Sequence, residues 1–374
     1  MEKYSKLSLK IFIITIVIFM FYVPSVIYLR DPLQVWHKNF KGPETYSHIR
    51  HSAKALIRNY DFDSVIIGNS HSENTSAKMA EDLLGGKFFN LSISGSTMKE
   101  KQIILNYLFK QKRIKKVVYI VDIHYQELEK EAKAFSLDNY DFLYNENPFD
   151  DYRVYLNNKY IYCTLGLAKI SSCTKTIANM DKPYAWENNQ RHMARFGGFN
   201  KWIENKKDGQ IKEAFEIIMN TSLEIASQDV NAQYKIDLKK YVNEGLISLI
   251  ESNPDIEFYL VIPPVSNIEL AISIRNGTFN KQKVLLDYLV MQSQNYSNFK
   301  IYAFDDENSI GKVENYKDLF HFNPQINSYI LASIKNGKHQ VDYNNINKYI
   351  KATYAKALSV DLQYYQNLVR EVVQ

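Results

Sequence analysis

The chain has 374 residues, 45% of them apolar and 23% charged, which suffices to bury a full core and excludes a disordered tail, a collagen, a coiled-coil array and a disulfide scaffold. Lys and Arg number 46 against 41 Asp and Glu, a formal excess of +5 with no long basic block, so nucleic acid is not expected as a partner. The two cysteines, Cys163 and Cys173, form no C-x-x-C pair.

The first element is apolar. Ile11–Leu29 is a run of 19 residues without a charge, preceded by Lys3, Lys6 and Lys10. At ~1.5 Å per residue it nearly spans a hydrocarbon core of ~30 Å, and Tyr22 and Tyr28 suit an interface. Pro24 is tolerated in such a helix. No A-x-A-like cleavage site accompanies it, so residues 1–30 read as a membrane anchor and not as a cleaved signal peptide. Basic residues flank it on both sides, Arg30, Lys38 and Lys41 following it. No second long apolar run appears, which puts everything after Arg30 on one face of the membrane, expected to be the extracytoplasmic one. There a Cys163–Cys173 bridge is permitted, with two free thiols as the alternative.

Past the anchor, β-rich runs alternate with helical stretches. The runs are Ser64–Gly68, Lys87–Leu91, Lys116–Ile123, Glu257–Ile262 and Lys300–Phe304; helices are expected near Asn74–Leu84 and Thr97–Lys110. This alternation predicts an α/β fold with a parallel five-stranded sheet covered on both faces. Residues 31–340 would form this domain, interrupted at about 126–250 by a helical insertion rich in Asn, Tyr and Lys, with helices around Ile211–Ala226 and Ala232–Ile250. Residues 341–374 read as a helical extension, periodic through Ile346, Ile350, Tyr354, Leu358 and Leu362, that packs on the core or meets a partner.

Ligands collect at the carboxyl ends of the strands in open parallel sheets, and three motifs fall at that edge. Gly68-Asn69-Ser70-His71-Ser72 follows the first strand, where glycine permits a sharp turn and Ser70 would be presented near the start of the next helix. Asn90-Leu91-Ser92-Ile93-Ser94-Gly95 follows the second, and the Gly95 amide can approach an oxyanion without a side chain in the way. Asp318-Leu319-Phe320-His321 follows the fifth and sets a carboxylate three residues before an imidazole, able to orient it. Taken singly, such a serine is better explained as a helix N-cap and a D-x-x-H pair as coincidence. Together they supply nucleophile, oxyanion donors, base and orienter.

This arrangement resembles the SGNH (GDSL-like) hydrolase superfamily over about Asp63 to Leu331, with the insertion unmatched. The resemblance implies a flavodoxin-like three-layer sandwich. It also implies Ser70 as nucleophile, Asp318 and His321 as its partners in a catalytic triad, and the amides of Ser70 and Gly95 as the oxyanion hole. Two positions depart from the pattern. Asn69 stands where the family has Asp, and at the place of the third-block Asn the chain reads Val121-Asp122-Ile123-His124-Tyr125. That departure and the anchor resemble the membrane-bound branch of alginate O-acetyltransferases and the D-alanyl-transfer protein of teichoic acid operons. An enzyme of that kind carries an acyl group, in the first instance acetyl, through an acyl-serine to a cell-surface polysaccharide, with an acyl donor and an integral membrane acyl-transporting partner. An esterase using water, and a non-catalytic glycan-binding or assembly protein, are the alternatives. The α/β-hydrolase elbow fits less well, because Ser72 occupies the last Gly of G-x-S-x-G.

The remaining candidates concern substrate. His71, following Ser70 on an expected helix, would face solvent or a cleft wall and is a candidate lining of the substrate entrance; Asn69 and Asp122 are candidate contacts beside it, and for His124 a structural role is expected ahead of an approach to the site. The insertion gathers Tyr184, Trp186, Arg191, His192, Arg195, Phe196 and Trp202, aromatic faces and guanidinium forks suited to a sugar or an anionic polymer. Trp186, Arg191 and Trp202 are the candidate binding residues; the alternative is that the two tryptophans pin the insertion to the core. No metal, nucleotide or dinucleotide motif occurs, so neither metal nor cofactor is expected.

Overall fold

A computed structural model describes residues 2–31, 33–38, 44–45, 49–121, 140–156, 160–162, 175–176, 179–227 and 229–373. The chain divides into two compact units, residues 1–60 with 137–178, and residues 61–136 with 179–374. The stretch 31–60, read from the sequence as the start of the main domain, thus groups with the anchor. The expected insertion is shared between the units.

In the first unit, helix α1 (Glu2–Arg30) carries Pro24 in its interior. Residues Tyr4–Arg30 are long and apolar enough to cross a membrane, and nearly all their side chains are exposed. The helix is stopped by Asp31, whose buried carboxylate accepts the backbone N–H groups of Val35, Trp36 and His37 at 2.7–2.9 Å and the Tyr155 hydroxyl at 2.6 Å. Helix α2 (Ile49–Asn59) buries Ile49, Ala53, Leu56 and Ile57. Its Lys54 meets Asp151 at 2.5 Å with both side chains almost fully buried. The strands Glu44–Thr45 and Lys175–Thr176 pair antiparallel.

The second unit is built on a six-stranded mixed sheet. Its strands are β1 (Ser64–Ile67), β2 (Phe88–Asn90), β3 (Lys116–Ile120), β4 (Glu257–Ile262), β5 (Phe299–Ala303) and β6 (Gln340–Val341), in the order β2-β1-β3-β4-β5-β6. The first five pair parallel, as the runs of Val, Ile and aromatic residues predict. The expected five-stranded parallel sheet is corrected by β6, which lies antiparallel against Ile301 and Tyr302 and makes the sheet mixed. All four residues of β1 are buried, so both faces of that strand are covered.

Around the sheet run α3 (Ala77–Leu84), α4 (Met98–Gln111), α5 (Gly209–Asn220), α6 (Ala232–Val242), α7 (Ser248–Ser252), α8 (Asn267–Asn276), α9 (Thr278–Gln292), α10 (Pro324–Asn336), α11 (Ile346–Leu358) and α12 (Leu362–Val373). Their starts obey local chemistry. Ser76 caps α3, a Thr97–Glu100 capping box opens α4, and Asp208 caps α5 by accepting Gln210 N–H. The single helix expected over Ala232–Ile250 is α6 and α7 joined by a π-helical turn at Asn243–Ile247. The C-terminal extension is two helices, and it packs on the core: Leu362 and Val369 join the cluster that holds Trp202, Phe215 and Leu319.

Candidate functional site

The strand order reverses between β1 and β3, and in such sheets the crevice at the reversal, beyond the carboxyl ends of the strands, is where ligands bind. The chain leaves β1 through Gly68. A Cβ there would lie 2.3 Å from Ser72 Oγ and 2.5 Å from Ile120 Cγ1, so only glycine passes. The Gly68 carbonyl accepts Ile93 N–H at 2.8 Å and Ser96 Oγ at 3.1 Å, which ties the loop after β2 to the loop after β1. Gly95 sits in that second loop with φ +61°, in the left-handed region that glycine tolerates.

Ser70 is not a helix cap. Residues 70–74 are a turn, and the cap of α3 is Ser76. Its hydroxyl is instead spent on an imidazole: Ser70 Oγ lies 2.9 Å from His321 Nε2. His321 Nδ1 lies 2.9 Å from each carboxylate oxygen of Asp318. A carboxylate only accepts, so Nδ1 carries a proton, and in the neutral ring Nε2 presents a lone pair to the serine hydroxyl. The loop is shaped for this. Asp318 Oδ1 also accepts the backbone N–H groups of Phe320 (3.0 Å) and His321 (2.8 Å), and Lys317 N–H donates to the His321 carbonyl at 3.0 Å.

Asp318 is buried, and burial alone would raise its carboxyl. The charge and hydrogen bonds of His321, with Lys317 Nζ at 3.4 Å, outweigh that and hold it well below the usual carboxylate range. Lys317 is itself 2% exposed; burial pulls its ammonium below the ordinary lysine value. Nζ is fixed by Gln210 Oε1 at 2.9 Å and lies 4.8 Å from the centre of the Trp186 ring. Trp186 Nε1 donates to the Ser70 carbonyl at 2.9 Å, and its ring meets His321 edge-on at 6.2 Å. One indole thus touches the backbone of the serine, the imidazole and the ammonium that steadies the carboxylate. Lys317 and Gln210 escaped the sequence reading, although the K-D-x-x-H spacing holds the first of them.

His71 departs from expectation. Because 70–74 is a turn and not a helix, its side chain does not point away from Ser70's surroundings: it is buried and stacks on His321 at 5.4 Å and on Phe322 at 5.5 Å. Asn69 is buried too, and its Oδ1 accepts His71 N–H (3.0 Å) and pairs with His71 Nδ1 (2.9 Å), so it positions the stacked ring. Trp202 is corrected as a substrate contact. It is fully buried with Nε1 on the Tyr316 carbonyl at 3.0 Å, which makes it a core residue. Trp186 is only partly buried, with Phe196 stacked on it at 6.1 Å. Arg191 is exposed on the short helix Gln190–Met193. Asp122, His124, Cys163 and Cys173 lie outside the described residues. Among the described residues no group of three or more His, Cys, Asp or Glu side chains is placed to hold a metal ion. Comparison of the chain with protein-family models, with curated proteins and with solved structures found no match.

Proposed function

We propose that the chain is a serine O-acyltransferase of the SGNH (GDSL-like) type, held in the membrane by α1 with its body on the extracytoplasmic side. It moves an acyl group, in the first instance acetyl, to a hydroxyl of a cell-surface polysaccharide. The observation that carries this reading is the unbroken hydrogen-bond chain from Ser70 Oγ through His321 to Asp318. The order β2-β1-β3-β4-β5 agrees with the flavodoxin-like arrangement of that superfamily, with Ser70 on the loop at the reversal.

The chemistry follows from the tautomer. His321 Nε2 takes the Ser70 proton as Oγ bonds to the carbonyl carbon of the donor, and the C=O electron pair moves onto oxygen, where the Ser70 and Gly95 amides receive it. Collapse breaks the bond to the leaving group, which takes the proton from His321. A glycan hydroxyl then gives its proton to His321 and attacks the acyl-serine, and the second collapse returns a proton to Ser70 Oγ. Water in place of the glycan gives an esterase from the same site. The tether supports transfer, since an acyl group delivered across the membrane by an integral partner is within reach.

The test is intact-mass analysis of the full chain in detergent after incubation with p-nitrophenyl acetate. Wild type gains one acetyl on Ser70 and Ser70→Ala gains none. A wild-type chain that never acylates sinks the enzyme reading and leaves a glycan-binding or assembly protein.

A further inference from the structure

The geometry points to His192 as a hydrogen-bond donor to the saccharide, a specificity-determining residue whose Nε2–H binds an oxygen of a hexopyranose unit next to the one being acylated. This rests on the acyl-transfer reading of the Ser70 site and extends it to the acceptor.

The inference starts from a guanidinium, which can donate hydrogen bonds and never accept one. Arg195 has no exposed surface, and one of its amino groups lies 2.7 Å from Asp208 Oδ1, the cap of α5. The other amino group is hydrogen-bonded to His192 Nδ1. Nδ1 must therefore be the lone-pair nitrogen, and the proton of the neutral ring is on Nε2. The ring stays neutral. Burial, then the neighbouring charges of Lys317, Arg195 and His321, pull it down to about 4. Among the described residues Nε2–H has no hydrogen-bond partner, although the ring is only partly exposed. The result is a neutral donor with its tautomer fixed from behind and its proton unspent.

Its position gives it a purpose. His192 lies against the Trp186 indole at 5.7 Å, and His321 lies against the same indole at 6.2 Å, both edge-on. The sum of those distances bounds the separation of the two imidazoles, a length that two or three linked hexopyranose rings cover. An acceptor hydroxyl delivered to His321 therefore brings a neighbouring sugar within reach of His192. Methanol, with a single oxygen, has none left to offer His192 once that oxygen is at His321.

The experiment uses the full chain in detergent with ring-15N-labelled histidine, the His192 signals being assigned by their loss in His192→Gln. At pH 7 the His192 ring is expected as the neutral Nε2–H tautomer, and chitotetraose, cellotetraose or maltotetraose is expected to shift its Nε2 resonance. An Nδ1–H tautomer, a cationic ring, or no shift with any of the three overturns the proposal whether or not Ser70 acylates. Where it does acylate, the ratio of transfer to the best tetrasaccharide over transfer to methanol is expected to fall about three- to tenfold in His192→Phe, the range of one net hydrogen bond. Gln, whose amide N–H reproduces Nε2–H, recovers that ratio to within about twofold. A ratio unmoved by Phe, with acylation intact, overturns the assignment of His192 and leaves the acyl-transfer reading standing.

Discussion

Two buried carboxyls near the carboxyl ends of the same sheet have opposite fates. Asp318, 4% exposed, is held ionised: two backbone N–H groups, the His321 ring and Lys317 Nζ surround it. Glu269, 6% exposed in the first turn of α8, has no such company. Its Oε2 lacks a hydrogen-bond partner among the described residues, and the charge nearest in effect is the like charge of Asp305. Burial pushes Glu269 up to about 8 and Asp305 to about 6. The Val265 N–H on Asp305 Oδ1 at 3.0 Å and the charge of Lys356, whose ammonium donates to the carbonyls of Asp305 and Glu307, lower Asp305 without overcoming its burial. Burial is common to all three; the donors around each decide its protonation. The loop 317–321 invests its donors in one carboxylate, whereas α8 leaves an acid to stay neutral.

The sharpest break of this contrast is Asp318→Asn. The amide can offer an N–H to His321 Nδ1 and favour the tautomer that no longer accepts from Ser70, and a comparable change in the serine proteases costs about 10⁴ in kcat. On the proposed acyl-transfer reading, ester turnover by the full chain is expected to fall by about that factor. A drop below tenfold means Asp318 does not orient His321. The same variant strips buried Lys317 of its countercharge, so its melting temperature is expected to fall as well, as happens when one partner of a buried pair is removed.

Glu269→Gln tests the other side. The folded carboxyl titrates at about 8 against an ordinary value of 4.5, so between those limits the unfolded chain loses its proton while the folded one keeps it. Stability present below pH 4.5 is therefore lost as pH rises towards 8, and Asp305 adds a smaller loss of the same sign between 3.8 and about 6. Gln keeps the shape and removes the titration. It is expected to match wild type near pH 4 and to exceed it by about 2–4 kcal/mol at pH 8, read as a melting-temperature difference that widens with pH. A constant difference across that window means that Glu269 is ionised in the folded chain or already paired.

These contrasts mark the limit of what the sequence discloses. The five parallel strands were legible because each is a short Val, Ile or aromatic run that only a doubly covered strand requires. The Ser70, Asp318 and His321 chain was legible because its members lie at strand ends in a fixed order. Strand β6 was not, since two residues, Gln340 and Val341, carry no period and are extended only through pairing with β5. The grouping of residues 137–178 with the anchor segment was hidden for a related reason: contacts between segments so far apart in the chain leave no local pattern. The stack of His71 on His321 depends on a turn where a helix was expected, and the support of Lys317 by Gln210 joins residues 107 positions apart. Trp202 and Trp186 look alike in the sequence, yet one fills the core and the other braces the site.

Trp186→Phe gives the smallest effect and separates the roles within that brace. Phenylalanine keeps an aromatic ring for Phe196 to stack on but cannot donate to the Ser70 carbonyl, and its weaker π-face holds Lys317 less well. One lost hydrogen bond at a partly buried site amounts to about 1 kcal/mol, so melting is expected to drop by only about 2–4 °C. The catalytic consequence is the more informative reading. If Ser70 is the nucleophile that the acyl-transfer reading proposes and the N–H of Trp186 sets its height against His321, turnover falls further than stability does, because small displacements of a nucleophile cost rate steeply. Equal, small losses in both would mean that Gly68 and the 70–74 turn hold Ser70 without the indole, and that Trp186 serves the site only as a wall.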